Sequence, residues 1–231
     1  MLESLTRQDY PLLPTTQVFI ADAGSSDGTQ EAALRFRDRL NVQLIPGGLP
    51  SVGRNAGARL ADSRYLLFID ADMELDDPTL IRRALATMQR RRLQCLTTNI
   101  RCSNGRIKDH ALYVGNNLVQ RFASFTKPFA TGMFMLFEKK TFDRLGGFHE
   151  RALYAEDYLL SKKVPVWRFG IVRGHILTSN RRFRKMGCFK IVRMFLRTAV
   201  NSWNESYFLR DHHYWQEPAQ TGNRANQSLQ N

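Results

Sequence analysis

Asp70 and Asp72 stand one residue apart at the end of an unbroken apolar run, Tyr65-Leu-Leu-Phe-Ile69. Two carboxylates so spaced can share a hard divalent cation and, through it, a diphosphate. A short apolar run reads as a buried strand. Acids at its end fall where the carboxyl edge of an α/β sheet opens into a ligand crevice. A lone triplet of this kind is more often a solvated turn after a strand. Its neighbours shift that balance: Asp22-Ala-Gly-Ser-Ser-Asp-Gly-Thr29, Gly53-Arg-Asn-Ala-Gly57, and Gly146-Gly-Phe-His-Glu150 with Glu156-Asp157 shortly after. A positioned carboxylate such as Asp157 can accept a proton from a hydroxyl. Without that context it would more often be an exposed helical acid.

These residues need a frame. Val18-Phe-Ile-Ala21 predicts a strand that ends in the 22–29 turn, and Asp27 with Gln30 resembles a capping box opening a helix over about 28–40. Val42-Gln-Leu-Ile45 is the next strand, a small-residue helix over 51–61 carries Arg54, and the strand at 65–69 precedes the acids. Asp77-Pro78 suits the N-cap and first position of a helix reaching Arg92. Cys95–Thr98 and Met133–Phe137 predict two further strands, and Asn104-Gly105 a hairpin turn within an otherwise poorly patterned stretch, 99–130. Residues 1–10 read as the end of a helix stopped before Pro11. The alternation predicts an α/β fold with a mostly parallel sheet covered by helices on both faces.

The 231 residues suffice for one large α/β domain or two small ones. Three cysteines, Cys95, Cys102 and Cys188, form no Cys-x-x-Cys, which argues against a disulfide framework or a zinc site and suits a reducing cytoplasm. No apolar stretch approaches the ~18–20 residues needed to span a bilayer, and the first residues lack the apolar core of a signal peptide. The net charge is +13, and no Asp or Glu occurs from Tyr158 to Asn204. Such a balance points to anionic partners. Nucleic acid is excluded as the partner for want of any recognisable nucleic-acid module.

In their order, the four motifs resemble family 2 of the nucleotide-sugar glycosyltransferases, the inverting GT-A type, over residues 1 to about 185. The resemblance implies a GT-A-like, Rossmann-like sheet. It implies that Asp22 contacts the base or ribose of a nucleotide-sugar donor, that Arg54 lies near that donor, and that Asp70 sits on its nucleotide side. Asp72 would hold Mg²⁺ or Mn²⁺ on the diphosphate. In some relatives a histidine like His175 completes the metal shell, although a structural histidine is commoner. Asp157 would be the general base, with Glu156 beside it. The chemistry fits these types: a hard cation offsets the charge growing on the leaving diphosphate, and a carboxylate activates the acceptor hydroxyl.

Departures from the family pattern also carry expectations. Ala23 replaces a second acid after Asp22, and His149 replaces the acid of a Gly-Gly-Phe-Asp-Glu segment. No Gln-x-x-Arg-Trp occurs, so one sugar per event is expected in glycan, glycolipid or cell-envelope polysaccharide synthesis. The sequence starts within the helix that follows the family's first strand, so that strand is expected to be missing. This leaves a catalytically impaired scaffold or membrane-associated partner as the alternative to an active enzyme.

The expected organisation is a catalytic domain over 1–180, a basic helical extension over 181–217 and a disordered tail over 218–231. Within the extension, Lys190, Arg193 and Arg197 line one stripe, opposite an apolar face of Phe189, Val192, Phe195, Leu196, Ala199, Val200 and Trp203. Together with Arg181, Arg182, Arg184 and Lys185, this helix could lie on an anionic membrane surface, peripheral on its cytoplasmic side. Packing on the catalytic domain or on a second subunit of a homo-oligomer is the competing arrangement. The remaining expected partner is a carbohydrate or lipid-linked acceptor.

Overall fold

A computed structural model describes residues 1–179, 193, 197, 198, 200, 201 and 203–210. The tail over 218–231, Arg181, Arg182, Arg184, Lys185 and most of the 187–204 helix lie outside the described residues.

The order of elements is α1 (Leu2–Thr6), β1 (Gln17–Asp22), α2 (Thr29–Leu34), β2 (Asn41–Pro46), α3 (Pro50–Leu60), β3 (Tyr65–Ile69), β4 (Met73–Glu74), α4 (Leu80–Arg91), β5 (Cys95–Cys102), α5 (Ile107–Ala123), β6 (Phe134–Glu138), α6 (Lys139–Arg144), α7 (Glu156–Ser161) and β7 (Phe169–Thr178), with a short helix at Glu205–Phe208. β1 and β2 form a parallel pair. The other strands form one sheet in the order β3-β6-β5-β7-β4. β5 and β7 are parallel, with a bulge at Thr98/Asn99. β6 runs antiparallel to both β3 and β5.

The sheet is therefore an α/β sheet of mixed direction. The apolar run at 133–137 announces a buried strand but carries no information about its direction. Alternation along β6 sends Phe134 and Leu136 into one core layer, against α4 residues Leu80, Ile81, Ala84 and Met88. Met135 and Phe137 enter the other, with Phe68, Phe142 and Phe148. Three aromatic rings lock that second layer: Phe68 stands edge-on to Phe148 at 5.0 Å between centroids, and Phe142 meets both.

Two local expectations are corrected. Gln30 does not close a capping box with Asp27; it reaches back to Asp22, with Nε2 donating to Oδ2 at 2.7 Å. Asn104-Gly105 is not a hairpin turn but the passage from β5 into α5. There the absent Gly105 side chain makes room for Cys102 Sγ, which would lie 2.7 Å from a Cβ.

Candidate active site

Helix α3 does the positioning. Gly53 lets it sit on β1, since a Cβ there would fall 2.7 Å from that of Ala21, and Gly57 rests on Phe19 one turn later. The next residue in each case faces another partner. Arg54 donates from Nη2 to Asp70 Oδ1 at 2.6 Å and from Nη1 to Glu156 Oε1 at 2.5 Å. One helix turn thus ties the carboxyl ends of β1 and β3 to the start of α7. Asn55 fixes the Gly-Gly-Phe turn: its Nδ2 donates to the Phe148 carbonyl at 2.8 Å, and its Oδ1 accepts the Phe148 amide at 2.9 Å. Gly147, at φ +68°, has no room for a Cβ beside Asn55 Oδ1. Sequence reasoning overlooked Asn55. Its signal was present, because a buried amide beside a turn of two glycines can serve the exposed backbone groups of that turn.

Asp157 stands next to this cluster. Its Oδ2 accepts the Gly132 amide at 2.7 Å and its Oδ1 accepts its neighbour's amide, that of Tyr158, also at 2.7 Å. A Cβ at residue 132 would run into the Arg54 guanidinium, which its two ion pairs hold in place. The acids begin α7 directly after Ala155, which is held at φ +53° in the left-handed region. Such a conformation costs a non-glycine residue about 1 kcal/mol or more, and it aims both carboxylates inward.

The electrostatics follow from burial. Arg54 is 14% exposed and Glu156 9%. Burial works against the Arg54 charge, but Asp70, Glu156 and Asp157 outweigh it and hold the guanidinium above its ordinary range. Burial pushes the Glu156 carboxyl up to about 7; Asp157 adds to the rise and Arg54 opposes it. Burial also raises Asp157, against the pull of Arg54 and its two amide donors. Both acids thus hold their protons more tightly than free carboxyls do, and shifts of this kind cluster at functional sites.

The other residues singled out from sequence lie around this centre. Asp22 closes its own loop: it accepts Gly24 and Ser25 amides, Ser25 Oγ at 2.5 Å and Gln30 Nε2. Bonds from Ser25 and Gln30 bring its carboxyl down to about 2. Asp72 is exposed in the turn between β3 and β4, and its carboxylate makes no hydrogen bond or ion pair among the described residues. It borders a cavity of about 280 Å³ shared with Glu74, Ser103 and Thr178. His175, on β7, pairs through Nε2 with Asp76 Oδ2 at 3.1 Å. Among the described residues no three His, Cys, Asp or Glu side chains converge as a metal-ligand set.

With this geometry in place, the sequence profile described as glycosyl transferase family 2 matches residues 1–146. The chain belongs to that family. Poly(ribitol-phosphate) beta-N-acetylglucosaminyltransferase TarS of Staphylococcus aureus, strains Mu50 and MW2, is 28% identical over 110 residues, which is 46% of this chain and 19% of the relative. The match thus spans about a fifth of the curated relative. Among solved structures, S. aureus TarS 1-349 in complex with UDP aligns at TM-score 0.60 and 18% identity, covering 89% of this chain and 68% of that one. Mannosyltransferase PcManGT from Pyrobaculum calidifontis, in complex with GDP-Man and Mn2+, aligns at 0.62 and 20%, covering 85% and 59%. These likenesses establish a shared GT-A-type α/β fold. No described helix is long and apolar enough to cross a membrane.

Proposed function

We propose that this family 2 chain carries the donor site and the base of an inverting, non-processive transferase that moves a sugar from a nucleoside diphosphate sugar to an acceptor hydroxyl. The observation that carries this reading is the gathering of Asp70, Glu156 and Asp157 about one buried guanidinium, drawn from three distant parts of the sequence. The relatives named above are, by their titles, glycosyltransferases, one with UDP and one with GDP-Man and Mn2+.

In this reading Asp157 accepts the acceptor's hydroxyl proton. Its two backbone donors hold the carboxylate in place, and each oxygen keeps a second lone pair. Arg54 fixes Asp70 and Glu156 and keeps the cluster from carrying three uncompensated negative charges. Asp22 and Asp70 line the donor side. A divalent cation, Mg²⁺ or Mn²⁺, fits Asp72, because such ions take one or two carboxylates plus substrate phosphate oxygens rather than a protein cage. When bound it would stabilise negative charge on the leaving diphosphate. His175 would join this set only by leaving Asp76. The chain's setting is cytoplasmic, with an acceptor that is a carbohydrate or lipid-linked, and the 181–203 segment adds a basic approach to an anionic membrane.

The scaffold reading has one observation in its favour: Asp22, Asp70 and Glu156 are already engaged by partners within the chain. Calorimetry with UDP or GDP in the presence of Mn²⁺ separates the two. Binding that Asp72→Asn weakens supports the transferase. Absence of any nucleotide binding, with or without metal, supports the scaffold. Given donor binding, Asp157→Asn is expected to leave it intact while cutting transfer ~10²–10⁴-fold; transfer at the unaltered rate would move the base to Glu156.

A further inference from the structure

Helix α5 is built inside out. The side turned to the protein is largely polar: Asp109 and Gln120 are buried there beside Tyr113, the one α5 residue in the main core cluster, and Asn117 bonds the backbone of Ile100 through both its amide nitrogen and its oxygen. The side turned to solvent is apolar. Ile107, Ala111, Val114, Leu118 and Phe122 recur at i+3 and i+4 along one stripe, with Ile107 90% and Phe122 71% exposed. Phe125 continues the stripe past the helix end. A helix whose pattern is reversed in this way has its burial partner outside the domain.

The charges around the stripe say what that partner is. The one acid of α5, Asp109, faces inward and caps the helix start. Lys108, His110 and Arg121 flank the outward face. Beside Val114 and Leu118 a cavity of about 560 Å³ opens between α5 and the bulged β5–β7 pair. Arg83, Arg101, Arg121 and Arg173 line it. Arg83 is engaged by Asp77, whereas the other three have no carboxylate partner among the described residues. An arginine-lined cavity selects phosphate oxygens, and an apolar stripe continuous with it selects a chain attached to that phosphate. A second copy fits poorly, because an antiparallel pairing of two α5 stripes would bring Lys108 of one against Arg121 of the other. In the described part of the chain's own C-terminal segment, Val200 and Trp203 are themselves 77% and 80% exposed, and the Trp203 ring meets Lys127, past the end of α5.

We propose that α5 docks this protein on anionic membranes: its apolar stripe enters the bilayer interface, and the adjacent arginine-lined cavity takes a lipid headgroup phosphate. The residues of this surface are not those of the 181–203 segment. Docking there also has a geometric consequence. The loop that leaves α5 carries Gly132, whose amide holds Asp157, so the docked helix and the acid cluster are joined through that loop.

The test is flotation of the full chain with phosphatidylcholine vesicles, with and without phosphatidylglycerol, in the absence of donor and acceptor. It therefore succeeds or fails independently of the transferase reading. The protein is expected to float with the anionic vesicles. A Val114→Glu/Leu118→Glu variant, changed only at exposed positions and checked by circular dichroism, should lose tenfold or more of its partitioning. An Arg101→Gln/Arg173→Gln variant should lose about fivefold per arginine. Equal recovery with neutral and anionic vesicles would overturn the proposal. So would undiminished flotation of both variants, even if Arg181, Arg182, Arg184 and Lys185 changed together to Gln abolish it. Saturable binding of soluble glycerol phosphate without flotation would replace the lipid by a free phosphate ligand. A dimer in sedimentation equilibrium that Leu118→Glu dissociates, again without flotation, would assign the stripe to a second copy.

Discussion

The acid cluster around Arg54 and the outer face of α5 obey opposite rules. At the cluster, charge is buried and contacts are specified: two ion pairs of 2.5–2.6 Å, two backbone amides on Asp157, and a glycine whose side chain, if it had one, would press on the guanidinium. On α5, apolar surface is exposed and its side chains touch little of their own domain. Removing one partner from the first kind of region leaves a buried charge without compensation, which is costly. Changing a side chain in the second kind alters almost nothing until the missing partner arrives. The same domain therefore holds a region where substitution costs stability and one where it does not.

The sharpest way to break that contrast is Arg54→Met. It strands Asp70, Glu156 and Asp157 together, and the expected cost is about 3–5 kcal/mol in urea unfolding. A loss under 1 kcal/mol would mean that water, not Arg54, satisfies the acids.

The unaltered protein probes the same cluster through pH. Glu156 binds its proton more tightly folded than unfolded, so between about pH 4.5 and 7 the native state holds the extra proton, and Asp157 shifts in the same direction. Stability from these groups is present below the unfolded carboxyl range and is lost as pH rises through the folded value near 7. Denaturation midpoints should fall across that window, and Glu156→Gln should flatten the fall.

Asn55→Ala should cost about 2–4 kcal/mol, because it leaves the buried amide and carbonyl of Phe148 without partners. It should also reduce transfer by displacing the turn that leads to Glu156. Stability loss without any effect on activity would detach the Gly-Gly-Phe turn from the site.

At the small end, Leu118→Glu should change folding stability by no more than about 0.5 kcal/mol. A large loss in dilute buffer would show that the stripe is packed within the chain after all.

Much of this was legible in the sequence where local pattern and chemistry agree. The strand at 65–69 was expected at the residues where it occurs, and the helix bearing Arg54 and the strand before Asp22 fall within a residue or two of expectation. Glu156 and Asp157 could be named because an acid pair after a Gly-Gly-Phe turn is a family pattern. What could not be read was long-range or inverted. The direction of β6 depends on partners far along the chain. β7, a ten-residue strand, lacks clean alternation around Arg173, Gly174 and His175 because the bulge resets its register. Helix α5 was not foreseen in the poorly patterned 99–130 stretch, where Gly115-Asn-Asn117 are weak helix formers. Gln30 shows the limit of local motifs: a residue at the right spacing for a cap was drawn instead to Asp22, where a bond to an ionised carboxylate is stronger.

The segment from α5 to β6 is pinned along its final stretch: Gln120 Nε2 holds the Phe129 carbonyl, Ser161 Oγ receives the Ala130 amide, and Asp157 receives that of Gly132. Helix α5 and Asp157 thus share one short tether. The Gly132 amide is among the groups that keep Asp157 from binding its proton still more tightly. Any pull on the tether that withdrew this amide would raise the carboxyl's hold on its proton and leave a smaller fraction ionised at a given pH. In that event the tether would act as a mechanical rheostat, converting displacement of an outer helix into a change in the basicity of a buried acid.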